Sequence, residues 1–358
     1  MKIGLDLRFL KSDTYYEKFV YDFARTLVHN DNKNDYTFYV SHKLEISAKN
    51  LKGIIYDSSL DNYFAQKKFG DFLEKTEKND LMIFFDENVP QNYKGRFFLF
   101  LSSLEDMFYN YDKKLLKKYL YQNMLKKSLN LGEKIFVFDG ETKEELNERF
   151  NISEEKIEVI TPFFSFQEKN KEEALINLDV KSKYGIKSDY LLYDGGAGGY
   201  KNLERTFEVF SSLINEGKDV SLVLFGDDVA KDINLRHLVV YNNIQEKVFF
   251  IGDIKSSEEK HFYTQSLGCI FPSLYEPFPF SLANSLCYDI PLITSNILSI
   301  QNIFQKDAHY FNPLSRGDMQ KSISDFIRKN HNIDYTEIKK SYTPENFTKK
   351  FIEFLEKA

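Results

Sequence analysis

Short runs of apolar, β-prone residues alternate with longer stretches of helical periodicity along the whole chain. This alternation admits few folds other than parallel sheets with crossover helices. Two such series are present. The first predicts strands near Lys2–Leu7, Tyr36–Val40, Leu81–Phe85, Arg96–Leu101, Lys134–Phe138 and Ile157–Ile160, with amphipathic helices over Tyr15–His29, Asp112–Leu129 and Glu141–Phe150. The second predicts strands at Tyr190–Asp194, Val220–Phe225, Lys247–Ile251, Gly268–Pro272, Pro291–Thr294 and His309–Phe311. Its helices are expected over Asn202–Glu216, Ser257–Ser266, Phe280–Tyr288, Gly317–Lys329 and Pro344–Lys357. Between the series, Gln167–Lys183 is rich in Lys, Glu and Asn. The expectation is an α/β protein of two Rossmann-like domains, residues 1–165 and 186–358, joined by a linker over 166–185. The terminal helix, amphipathic through Phe347, Phe351 and Phe354, can pack in the second core or cross back to the first.

A length of 358 residues exceeds what one ordinary core accommodates, which agrees with two domains. Apolar residues at 42% and charged residues at 28% exclude a disordered chain. The 34 Phe and 23 Tyr beside no Trp reflect a compositional bias, so single aromatics carry little functional weight. A net charge of −6 argues against a nucleic-acid partner, which requires a basic face. Cys269 and Cys287 form no C-x-x-C pair and have apolar neighbours, which fits a reducing, cytoplasmic setting and neither metal binding nor nucleophilic catalysis. Met1–Leu10 holds Asp6 and Arg8, unlike a signal sequence, and no segment approaches a membrane span. The six histidines are scattered without an i, i+4 pair, so no metal site is expected.

Open parallel sheets bind ligands beyond the carboxyl ends of their strands, so function is sought in the strand-to-helix loops. The most informative stretch runs from Phe271 through Pro272, Ser273 and Glu276 to Asn284 and Asn296, as strand, carboxylate-bearing loop, helix and β-rich run. Upstream, Tyr190–Asp194 leads into Gly195, Gly196, Gly198 and Gly199, then Lys201 and Asn202 at a helix start. Val220–Asp227 and Val248–Gly252 are two further strands that end in glycine-containing turns.

Together these four landmarks resemble glycosyltransferase family 4, including its bacterial mannosyltransferase-like members. The first half is weakly similar, through Gly4–Phe9 and Glu155–Ile160. The resemblance implies a GT-B fold with a nucleotide-sugar donor site in the second domain and an acceptor side in the first. It implies transfer of a hexose-like sugar with retention, from a nucleotide diphosphate sugar to a saccharide or lipid-linked saccharide, within bacterial surface polysaccharide synthesis and without a metal or cofactor.

The residues themselves suit such a donor. A diphosphate calls for cations and N–H groups, and sugar hydroxyls call for acceptors. Lys201, with an ammonium and the positive helix end, is the expected diphosphate ligand. Glu276 is the expected acceptor for the transferred sugar, near charge developing at the anomeric carbon. Both are the candidate catalytic residues; Gly196, Phe278, Phe280, Ser281 and Asn284 complete the candidate donor contacts.

Departures from the family pattern are equally specific. Pro277 and Pro279 replace two glycines and remove two N–H groups. Asn284 stands where the family has a ribose-binding glutamate, eight positions after Glu276. Lys11–Lys18 contains no glycine, Ser102 and Ser103 replace a His-Asp pair, and an arginine near the glycine-rich loop is missing. Two rivals therefore stay open: a catalytically silent lobe pair that binds a partner or glycan, and a nucleotide-sugar epimerase. Finally, six lysines over residues 113–127 form a basic amphipathic stretch that suits either an anionic membrane surface or a solvated crossover helix.

Overall fold

The computed structural model describes residues 1–11, 14–60, 62–105, 115–166, 178–252, 254 and 256–357. The chain divides into two compact units, Met1–Ser165 with Ser341–Ala358, and Phe166–Lys340. The second unit therefore stops short of the expected 358. Most of the expected linker, residues 167–177, lies outside the described residues.

In the first unit the described strands are β1 (Lys2–Leu7), β2 (Asp35–Val40), β3 (Leu51–Ile55), β4 (Leu81–Phe84), β5 (Phe97–Leu101), β6 (Lys134–Val137) and β7 (Ile157–Val159). They pair in parallel in the order β3-β2-β1-β4-β5-β6-β7. β4 and β5 are buried at every residue, because a parallel sheet is covered on both faces, and such strands read as continuous apolar runs. β3 is the exception. It is an edge strand, largely exposed, whose Lys52 and Gly53 break the apolar signal, and sequence reasoning missed it.

Helix α1 (Tyr15–Asn30) starts where the Thr14 hydroxyl accepts the Glu17 N–H, and it buries Phe19, Phe23 and Leu27. Helices α2 (Tyr63–Lys75), α3 (Leu115–Leu131) and α4 (Gly140–Phe150) complete the described crossovers. The terminal helix, Pro344–Leu355, crosses back to this unit. Phe347 and Phe351 meet Phe23 edge-on at ring separations of 5.1 and 5.2 Å, while Phe354 meets Phe136 at 5.0 Å. The Phe abundance is thus spent on a core of edge-to-face contacts.

Asp139 follows β6 and caps α4, its Oδ1 accepting the Thr142 N–H at 2.8 Å. Its Oδ2 is buried with no hydrogen-bond partner among the described residues. Burial raises the Asp139 pKa against the lowering effect of the Thr142 hydrogen bond. A folded-state pKa above the unfolded value makes the ionised form destabilising, so this contribution worsens as pH rises through the window between the two. Asp139→Asn keeps the cap and removes the charge. It should raise the unfolding midpoint at pH 7 and lose that advantage below about pH 3, under the unfolded carboxylate value; thermal unfolding at both pH values checks this.

In the second unit β8 (Asp189–Asp194), β9 (Val220–Phe225), β10 (Val248–Ile251), β11 (Gly268–Phe271), β12 (Leu292–Ser295) and β13 (His309–Phe311) pair in parallel in the order β10-β9-β8-β11-β12-β13. Around them lie α5 (Leu203–Asn215), α6 (Ser256–Thr264), α7 (Ala283–Cys287), α8 (Leu298–Phe304) and α9 (Arg316–Phe326). The expected helix over 280–288 is instead a 3-10 turn, Phe280–Leu282, followed by the short α7. Gly268 is required: a Cβ there would stand 2.6 Å from the Phe326 ring and 2.7 Å from the Pro291 carbonyl. The strand order reverses beside the first strand of each sheet, at β1/β4 and at β8/β11, the position beyond whose carboxyl ends open parallel sheets bind ligands.

Burial pushes the Cys269 thiol up to about 12, whereas Cys287 is only half-buried. One thiol per folded chain, Cys287, should therefore react with a maleimide near neutral pH, and both should react in denaturant. Loss of labelling in Cys287→Ser confirms the assignment.

Candidate functional site

The two strands flanking the reversal in the second sheet end at Asp194 and Phe271, and the loops that follow them carry Lys201 and Glu276. A backbone hydrogen bond from Leu274 N to Tyr200 O, 2.7 Å, locks the two loops together. The Lys201 ammonium pairs with Glu276 Oε1, and the two side chains are only 9% and 10% exposed. The ammonium also stands 4.8 Å from the Tyr200 ring centroid and 5.4 Å from that of Phe271. Ser273 donates to Glu276 Oε1 at 3.2 Å, and the Ser299 hydroxyl on α8 donates to the Glu276 carbonyl. A buried cation and a buried carboxylate are thus held by three elements at the carboxyl edge, beside the reversal of strand order.

Lys201 differs from expectation in two respects. It ends a 3-10 turn, Gly199–Lys201, and its N–H donates to Gly198 O at 2.8 Å, so that group is occupied within the turn. Its ammonium, the expected diphosphate ligand, is paired with Glu276 and lies beside two aromatic rings. The next residue, Asn202, has φ +60 and places no side-chain cap on α5. Asn202 Nδ2 instead donates to Pro272 O and Pro313 O, each at 3.1 Å, so Asn202 is a brace beneath the site and neither a cap nor a ligand contact. Arg205 supports that brace by donating to Asn202 Oδ1 and Pro313 O, both at 2.8 Å.

Gly196 has φ +80, and its carbonyl accepts the Tyr193 hydroxyl at 2.6 Å. Burial, then the nearby Glu276, Asp194 and Asp228 carboxylates, push the Tyr193 pKa far up, which keeps the phenol neutral and donating. Ala197 N donates to Asp228 Oδ2 at 2.9 Å, so the glycine-rich turn is anchored at both ends.

The remaining candidates separate. Phe278 is buried, and its ring meets Phe280 edge-on at 4.7 Å, which makes the pair loop packing. Phe280 N donates to Phe278 O at 2.9 Å, so the N–H expected to face a phosphate is satisfied inside the loop. Ser281 lies half-buried in the 3-10 turn. Asn284 is 2% exposed on α7, and its Nδ2 donates to Glu259 Oε1 at 2.5 Å. Sequence reasoning missed Ser273, Ser299 and Glu259. Ser273 stood three residues before Glu276, whereas Ser299 and Glu259 come from distant elements.

Among the described residues no group of three or more His, Cys, Asp or Glu side chains can hold a metal ion, and no helix is long and apolar enough to cross a membrane. In the first unit, the described Lys126 and Lys127 of the basic stretch are exposed, and Leu125 and Leu129 enter the core. Lys113 and Lys114 lie outside the described residues.

Residues 178–356 match the family model "Glycosyl transferases group 1". The chain is 22% identical over 213 residues to the O-antigen chain mannosyltransferase RfbU of Salmonella typhimurium strain LT2, a match covering 60% of this chain and 56% of that protein. The chain spans about half the length of the curated relatives it matches. Its fold is similar to sucrose-phosphate synthase of Thermosynechococcus elongatus, with TM-score 0.70, 14% identity and coverage of 100% of this chain and 98% of the other. It is likewise similar to Anabaena HepE solved with UDP-glucose, with TM-score 0.69, 9% identity and 100% coverage of both. These likenesses show a GT-B architecture of two Rossmann-like domains.

Proposed function

Because the chain belongs to the group 1 glycosyl transferases, whose family model matches half of it, we propose that its second unit binds a nucleotide diphosphate sugar and that the protein transfers the sugar with retention. The observation that carries this reading is the buried Lys201–Glu276 pair at the reversal of the second sheet. In this reading Lys201 and the α5 N-terminus hold the diphosphate, and the cation offsets the charge that grows on the leaving phosphate. Glu276 accepts hydroxyls of the transferred sugar and stabilises positive charge at the anomeric carbon. The anomeric C–O bond to phosphate breaks, the acceptor oxygen bonds to the same face, and its proton passes to the departing phosphate oxygen. No protein base and no metal ion are needed for that proton to balance.

A hexose-like donor sugar and a saccharide or lipid-linked saccharide acceptor, in surface polysaccharide synthesis at the cytoplasmic face, fit the similarity to an O-antigen mannosyltransferase. Contact with anionic lipid through 113–127 is part of the same proposal, and salt-sensitive co-sedimentation with anionic vesicles is its expected result. One observation favours a silent lobe instead: Pro277, Pro279 and the internally bonded Phe280 N–H reduce the donor-loop groups open to a phosphate.

The deciding assay incubates the protein with UDP-, GDP-, ADP- and dTDP-sugars, with and without saccharide acceptors, and follows release of nucleoside diphosphate. Release with one base, and a product that keeps the donor's anomeric configuration, is expected. Binding without release from any donor would favour the silent lobe.

A further inference from the structure

At the outer edge of the first sheet, β2, β3 and the segment between them enclose an open apolar pocket of about 360 Å³, within the size range of small-ligand sites. We propose that this pocket takes one hydrocarbon chain of an anionic lipid, with the lipid head group on Lys43. The inference stands apart from the donor reading, because every residue it uses lies in the first unit.

The floor of the pocket follows from strand register. β2 and β3 pair in parallel with Tyr36 beside Leu51, Phe38 beside Gly53 and Val40 beside Ile55, so these positions share one face of the sheet. The other face is closed, since Ile54 and Tyr56 pack against the core that holds Phe69 and Leu73. On the pocket face, Leu44, Ile46 and Ala48 supply the rest of the apolar lining. They are half-buried and alternate with exposed Glu45, Ser47 and Lys49, so this stretch turns its apolar side inward. The Tyr21 hydroxyl of α1 tethers it by donating to the Glu45 carbonyl at 3.4 Å.

Gly53 explains why the space stays open. A glycine inside a strand weakens the strand and marks the close approach of a ligand or another backbone. Nothing within the protein requires it here: its φ lies outside the left-handed region, and a Cβ would meet no atom within 4 Å. The missing side chain therefore makes room for an occupant.

The lining names the occupant's chemistry. Lys43 and Ser47 are the only polar side chains among the ten lining residues. A sugar or nucleotide would leave its hydroxyls without partners there, whereas a hydrocarbon chain loses nothing. Ile55, 65% exposed at the end of β3, carries the apolar surface out to solvent and marks an entrance. Lys43 is exposed and has no ion-pair partner among the described residues, so an anionic head meets an uncommitted cation.

The test titrates the full chain calorimetrically with saturated fatty acids of increasing length, and with alcohols of equal length, all below micelle-forming concentration. Affinity should rise about fourfold per added methylene and level off once the pocket is full. Each acid should bind about threefold more tightly than its alcohol, the value of an exposed ion pair, and Lys43→Gln should remove that difference. Gly53→Leu fills the pocket and should abolish saturable binding, with an unfolding midpoint at or above that of wild type, since strands favour a side chain over glycine. Absence of saturable binding to wild type, equal binding by a folded Gly53→Leu, or an affinity that climbs with length without levelling would overturn the proposal. A wild-type dimer that Gly53→Leu converts to monomer would place a second copy of the chain in the pocket and overturn it as well.

Discussion

Glu276→Ala should lower sugar release from the donor by about two to three orders of magnitude while nucleoside diphosphate affinity stays within a few-fold of wild type. The size of the first effect is that of removing one well-placed electrostatic contact to a transition state. The second follows from the pair. Glu276 accepts from both Lys201 and Ser273, and its loss leaves the Lys201 ammonium, 9% exposed, without its carboxylate. Breaking a buried pair on one side costs on the order of 3–5 kcal/mol, so the ligand-free variant should unfold earlier. Lys201 remains to hold the diphosphate, and at near-equal affinity the ligand stabilises both proteins alike, so saturating nucleoside diphosphate should raise both midpoints and leave the gap between them. Turnover, ligand affinity and unfolding midpoints measured on one preparation separate these effects. An equal fall in affinity and turnover would assign Glu276 to uniform binding of the donor.

Arg8→Ala should cost about 3–5 kcal/mol, with no direct effect on the second unit's site. Arg8 is fully buried at the end of β1, in the first sheet's own reversal. Its guanidinium donates to both Asp6 oxygens, at 2.8 and 2.7 Å, to Ser58 Oγ at 2.7 Å and to Gln66 Oε1 at 3.0 Å, and lies 3.4 Å from the Phe69 ring centroid. Deleting it strands the Asp6 carboxylate in the core. The double variant Asp6→Asn with Arg8→Met should recover part of the loss, because it removes both charges together. Urea unfolding followed by far-UV circular dichroism checks the order: wild type, then the double variant, then Arg8→Ala. If the single variant were as stable as wild type, the network would carry no net stability.

The two variants also mark what could be read from the sequence. Parallel strands buried on both faces announce themselves, so β1 and β9 are predicted at their observed limits; the half-buried edge strand β13 is too, through its apolar residues, whereas the polar edge strand β3 is invisible. Asp6 and Arg8 served only to exclude a signal sequence, and their pairing was not legible because Arg8 lies in the turn just past the end of β1. Lys201 and Glu276 were legible as individuals because each follows a strand of the reversal. Their mutual ion pair was not, since it depends on the register of two loops separated by 75 positions. Asn284 was legible as a departure. The Glu259 that faces it was not, because nothing in the spacing ties α6 to α7.

The central claim is that the second unit is built to hold a nucleoside diphosphate through Lys201. Its most direct test is a thermal-unfolding titration of wild type and Lys201→Ala with UDP, GDP, ADP and dTDP. A ligand at a hundred times its dissociation constant stabilises the folded state by about 2.7 kcal/mol. At least one of these diphosphates should raise the wild-type midpoint in a concentration-dependent way, and Lys201→Ala should need far more of it for the same rise. A wild-type midpoint unmoved by all four at millimolar concentration, or an equal rise in Lys201→Ala, would contradict the account.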